Sequence, residues 1–156
     1  MAQALNTWNK LSGTAFGRWL FTRAVCFKAP YFASISPSFL ELDVGRAVVR
    51  LKKRRKVENH IGTVHAIAMA NLAELAAGTM MEVSIPSSQR WIPRGMTIEY
   101  LAKAESDVTA TASLPALAYG PAQDVIVSIS VRDTDGKEVS RASVPMYVSP
   151  RSTGHK

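Results

Sequence analysis

Asn59-His60-Ile61-Gly62-Thr63-Val64-His65-Ala66-Ile67-Ala68-Met69-Ala70-Asn71-Leu72-Ala73-Glu74 opens the segment on which the fold turns. From Val64 to Gly78 only His65, Asn71 and Glu74 interrupt an apolar surface. A helix that is apolar nearly all round is buried nearly all round. Residues 63–80 are therefore expected to form one long helix, wrapped by a sheet or covered by a partner. Thr63 is the expected N-cap, and Gly78 lies near the expected C-terminal end.

Working outward, residues 3–23 place Leu5, Trp8, Leu11, Ala15, Phe16, Trp19 and Leu20 at helical spacing, with a break expected at Gly13 or Gly17. Residues 27–38, with Pro30 and Pro37, read as a loop. Residues 39–53 read as a hairpin turning at Gly45, because Leu40, Leu42 and Val44, then Ala47, Val49 and Leu51, alternate with polar positions. The run Lys52-Lys53-Arg54-Arg55-Lys56 ends it, either as a solvated strand end or as a phosphate-binding rim. Downstream, alternation marks strands around Met96–Ala102, Val108–Ala112, Val125–Val131 and Val139–Val148. The Asp133-Thr134-Asp135-Gly136 turn separates the last two, and Pro145 suggests an edge or a bulge. The fold class is α+β: an antiparallel sheet of five or six strands around one long central helix, with an N-terminal helix.

The 156 residues carry 47% hydrophobic and 20% charged side chains, an ordinary globular balance. The lone Cys26 cannot form an internal disulfide and sits in an apolar stretch, as a small buried hydrophobe of a reducing compartment does. No apolar run approaches the roughly 20 residues that span a bilayer. No secretory signal is read. The formal charge of +7 favours anionic partners, among which nucleotide phosphates, acyl-carrier phosphopantetheine, nucleic acid and anionic membrane all qualify.

The chemistry concentrates between Asn59 and Glu74. A loop with polar side chains and a glycine leads into a buried helix, whose first N–H groups and positive dipole end suit an oxyanion. The Ala66 N–H is the expected donor. Glu74 sits mid-helix, where a carboxylate is costly unless paired, hydrogen-bonded or near water, and where it suits a general base. His65 and Glu74 are nine residues apart, roughly 180° around one helix and about 13.5 Å along it. A single site using both must draw on two chains, which predicts a dimer with two equivalent sites.

These residues resemble the signature of the hotdog thioesterases of the phenylacetate-pathway (PaaI-like) group. That signature has an Asn, then His-Gly-Gly at the start of the central helix, then an acid. The spacings match Asn59 to His65 and Asn59 to Glu74, and the resemblance is closest to the DUF4442 branch. It implies one hotdog domain over residues 1–148 with a mobile tail over 149–156. It also implies acyl-CoA or acyl-carrier thioester hydrolysis by a cytoplasmic homodimer or homotetramer. Glu74 would activate water or attack the thioester, and the Ala66 N–H would hold the oxyanion. Asn59 would position water or nucleophile from the other subunit, and His65 would support the loop or the carbonyl. His60, Gly62, Thr63, Arg90 and Arg94 are the expected substrate contacts; Arg90 and Arg94, with Trp91, either line a channel for the coenzyme or are ordinary surface and core residues near a strand start.

No cofactor, metal, nucleic-acid partner or membrane span is expected. Two departures stand out: Ala66-Ile67 replaces Gly-Gly, with Ile67 expected to narrow the space, and the acid is Glu rather than Asp. The alternatives are a non-catalytic acyl-CoA-binding hotdog protein and a hydroxyacyl-thioester dehydratase. The dehydratase would use His60 and Glu74, but the His-Phe-Pro of that family is missing because Ile61 and Gly62 follow His60.

Overall fold

The computed structural model describes residues 2–114 and 120–151. Two helices, α1 (Ala2–Leu11) and α2 (Ala15–Lys28), lead through a 3-10 turn at Pro30–Ile35 into the hairpin β1 (Ser38–Asp43) and β2 (Arg46–Leu51). After a short 3-10 turn at Arg55–Val57 comes the long helix α3 (Ala66–Ser84). Five strands follow: β3 (Gln89–Pro93), β4 (Thr97–Tyr100), β5 (Val108–Ser113), β6 (Gln123–Arg132) and β7 (Glu138–Pro150). All pairings are antiparallel, in the order β1-β2-β5-β6-β7-β3, with β4 also on β7. Seven strands thus fill six positions across the sheet.

Helix α3 lies across the inner face of this sheet. Leu72, Ala73, Ala76, Ala77 and Met80 meet no solvent, and neither do Ala47, Val49, Leu51, Val108, Ala110, Ala112, Val127 and Val131 on the strands. The period-2 alternation supplies the sheet's side of this core and the apolar helix supplies the other. The expected α+β architecture, one long helix wrapped by an antiparallel sheet, is the one found.

Several boundaries differ from expectation. The helix starts at Ala66 rather than Thr63, and its N-cap is His65. Gly78 does not end it, because the helix runs one and a half turns further before Ile85-Pro86. Gly78 instead gives room to Trp91, whose ring lies 3.0 Å from where a Cβ would sit. Residues 27–35 are not loop, since α2 reaches Lys28 and a 3-10 turn follows.

Pro145 marks neither an edge nor a bulge. It pairs with Ile126 of β6, and on the other side it stands where β3 has ended and β4 not begun. The Arg94 N–H still reaches its carbonyl at 2.9 Å. A residue's N–H and C=O point to the same side of a strand, so the missing proline N–H falls in that gap. Residues 149–151 are not tail, and residues 152–156 of the expected tail lie outside the described residues. Ser149 and Pro150 pair with Arg90 and Gln89, and Arg151 bonds back to Ser88 and Gln89.

The N-terminal break is real and has a specific cause. Thr14 caps α2 by accepting from the Gly17 N–H. Gly17 passes against the Leu11 main chain, where a Cβ would overlap the Leu11 carbonyl. Alanine favours helix over glycine by about 1 kcal/mol. Overpacking of this kind costs about 1–3 kcal/mol. Gly17→Ala is therefore expected to lower stability in urea titration despite its better helix propensity. A variant at least as stable as the parent would refute this packing of α1 on α2.

Candidate active site

The loop before α3 is built by Asn59. Its side-chain Oδ1 accepts from the N–H groups of Ile61 and Thr63, each at 3.1 Å, and its Nδ2 donates to Thr63 Oγ1 at 2.9 Å. Its backbone N–H donates to the Thr63 carbonyl, and Gly62 closes the turn at φ 77°, a left-handed conformation suited to glycine. Asn59 keeps one amide hydrogen for anything that approaches. Val64 N–H bonds Ala104 and His65 N–H bonds Val57, which fixes the loop to its neighbours.

The first turn of α3 then distributes its hydrogen bonds unevenly. His65 Nδ1 accepts from the Ile67 N–H at 3.0 Å, and the His65 carbonyl accepts from both Ala68 and Met69. An accepting Nδ1 places the imidazole proton on Nε2, and the ring is exposed. Of the four N–H groups that a helix start leaves open, three are satisfied. The Ala66 N–H has no partner among the described residues.

Ala66 borders an open cleft of about 260 Å³, together with Asn59, Thr63, Met69, Tyr100 and Lys103. Tyr100, from β4, donates its hydroxyl to the Ala66 carbonyl at 3.1 Å. Burial pushes the Tyr100 phenol up from its ordinary value, so it remains a donor at neutral pH. A second cavity of about 300 Å³ shares Asn59 and adds Arg55, Glu58, His60 and Gly62. A larger groove of about 410 Å³ lies on the sheet's outer face, among serines, threonines and the Arg141–Glu99 ion pair. None of the candidate residues borders it.

A family described as "Domain of unknown function (DUF4442)" matches residues 17–148. The chain belongs to this family. Among solved structures similar to this DUF4442 chain is a structural-genomics protein, APC5556, 47% identical over 96% of this chain and 97% of that one, with a TM-score of 0.81. A Pseudomonas aeruginosa protein described as a probable thioesterase is 21% identical over 81% and 91% of the two chains, TM-score 0.74. A Haemophilus influenzae thioesterase is 13% identical over 81% and 87%, TM-score 0.70. The shared architecture is the hotdog fold of thioesterases. No curated protein sequence matches.

Within one copy of the DUF4442 chain, the predicted residues fall into separate groups. Asn59, Thr63 and Ala66 meet at the cleft, while His60 and Gly62 line the neighbouring cavity. Ile67 does not line the cleft. It points away with 58% of its surface exposed. Glu74 lies elsewhere, half-buried on the α3 face that also carries Ile67, Ala70 and Gly78. Its carboxylate has no hydrogen-bond or ion-pair partner among the described residues.

Arg90 and Arg94 stand on and just after β3. Arg90 bonds Ser149 Oγ at 3.3 Å, and Arg94 pairs with Asp124 and lies over the Tyr147 ring. In the basic run, Lys53 pairs with Glu58. Cys26 is buried, which pushes its thiol up from the ordinary range against the lowering effect of Arg23.

Beyond the predicted site residues, two polar side chains meet or interrupt α3: Tyr100 borders the cleft, and Asn71 does not. Tyr100 belonged to an alternating strand and carried no other signal. Asn71, 6% exposed, donates to Ser34 Oγ at 3.2 Å and leaves its Oδ1 without a partner one turn from Glu74.

Proposed function

We propose that this protein hydrolyses acyl thioesters of coenzyme A or an acyl carrier, at sites composed from two copies. The unpartnered Ala66 N–H at the edge of the cleft carries this reading. A single backbone donor left open at a helix N-terminus is what a developing oxyanion needs. Asn59 contributes its spare amide hydrogen and His65 its exposed Nε2–H.

The base comes from a second copy. Ala66 and Glu74 are eight residues apart, about 12 Å along α3, too far for both to reach one reacting carbonyl. If two α3 helices cross antiparallel about a two-fold axis at Ala70, Ala66 of each faces Glu74 of the other. Ala70 is small enough for close approach, and Ile67 gains an apolar neighbour. Glu74 then takes a proton from water, whose oxygen attacks the thioester carbonyl carbon. The oxyanion rests on the Ala66 N–H. As the tetrahedral intermediate collapses, the carbon–sulfur bond breaks and the thiolate leaves with the proton from Glu74. Arg55 and His60 in the adjoining cavity suit the anionic end of the substrate.

Thiol release from a panel of acyl-CoA substrates tests the reading, alongside light scattering. Turnover by a protein of dimer mass or larger supports it. Binding without turnover favours the non-catalytic acyl-CoA-binding module. Loss of water from a hydroxyacyl thioester favours the dehydratase, and a monomer at micromolar concentration contradicts the two-copy site.

A further inference from the structure

Helix α2 packs inward through Gly17, Phe21, Thr22 and Cys26. Its outward face is also apolar. Phe16 is 71% exposed, Trp19 55%, Phe27 91% and, just beyond the helix, Tyr31 69%. The Phe16 and Trp19 rings stack with centroids 5.6 Å apart. Arg23 lies in the midst of this face, exposed. The local charge is one-sided: residues 1–40 contain Lys10, Arg18, Arg23 and Lys28, and no acidic side chain occurs before Glu41.

We propose that this face docks on an anionic lipid surface. Aromatic side chains backed by cations are the composition that lies in the headgroup boundary and is held there by negative lipid. A second copy is a poorer occupant. A two-fold contact centred on this face would bring Arg23 close to its own symmetry mate, with no carboxylate on either α2 to offset it. Docking is peripheral, since no helix among the described residues is long and apolar enough to cross a membrane. The inference does not depend on the proposed reaction.

Flotation of the full chain with phosphatidylcholine vesicles, with and without phosphatidylglycerol, tests it. The protein is expected to float with the phosphatidylglycerol vesicles, to be released by salt, and to stay unbound with phosphatidylcholine alone. Trp19→Ser/Phe27→Ser should bind at least about tenfold more weakly, with an unchanged thermal melt because both side chains are solvent-exposed. Arg23→Glu should weaken binding without touching the apolar surface. Should the double variant misfold, the lipid and salt dependence of the parent protein still decides.

Absence of flotation with anionic vesicles overturns the proposal, as does equal binding to both vesicle types. So does undiminished binding by a folded double variant. If the variant instead halves the particle mass in light scattering while the parent ignores vesicles, the face belongs to a second copy.

Discussion

Replacing Glu74 with glutamine is expected to lower thioester turnover on the order of a hundredfold or more, the usual effect of losing a general base. The substitution keeps the side-chain volume and removes the basic oxygen. The fold should tolerate it, because Glu74 has no ion-pair or hydrogen-bond partner among the described residues and no buried cation is orphaned. Stability should stay within about 0.5 kcal/mol or rise. Binding of acyl-CoA should change little, since the charge acts in the transition state. Thermal melts and turnover on one preparation separate the two readings. A folded Glu74→Gln protein with full turnover ends the assignment. A loss of roughly 3 kcal/mol or more would reveal a structural ion pair formed in the assembly.

Ala66→Pro is the second variant, and it deletes the proposed oxyanion donor. Proline lacks the N–H, and the first helical position is where a helix accepts it most readily. His65 already has φ −64° and ψ 138°, the region that a residue preceding proline prefers. Helical content and melting should therefore be preserved. Turnover should fall by about 10²–10³, as for removal of one oxyanion-hole donor. Undiminished turnover with intact circular dichroism would mean that the Ala66 N–H stabilises nothing.

Much of the fold could be read because burial writes itself into periodicity. An apolar surface over residues 64–78, interrupted only by His65, Asn71 and Glu74, identifies α3, and alternation identifies six strands. The seventh, β3, was hidden because Arg90-Trp91-Ile92-Pro93 does not alternate cleanly: Ile92 is exposed, while Trp91 turns in against Gly78. Gly78 read as a helix end, since the sequence does not reveal that an indole needs its missing Cβ. The N-cap differs from the expected Thr63 for a similar reason. Thr63 has the usual capping chemistry, but its hydroxyl is taken by Asn59, and the cap passes to an imidazole.

Asn59 and Glu74 stand out as polar residue types beside a buried apolar helix, and Ala66 by its place in the helix's first turn. What the sequence left open was their grouping. Asn59 and Ala66 share a cleft that Glu74, in the same chain, does not border.

That separation makes one measurement decisive. Glu74→Gln and Ala66→Pro chains, each inactive alone, are co-expressed with different tags and assayed together for thiol release. If each site takes Ala66 from one copy and Glu74 from the other, a mixed dimer holds one intact site and one doubly altered site. Random assortment gives about half mixed dimers and so about a quarter of the parental activity. Activity no greater than that of either variant alone, in a preparation shown by both tags to contain mixed dimers, would contradict the two-copy site.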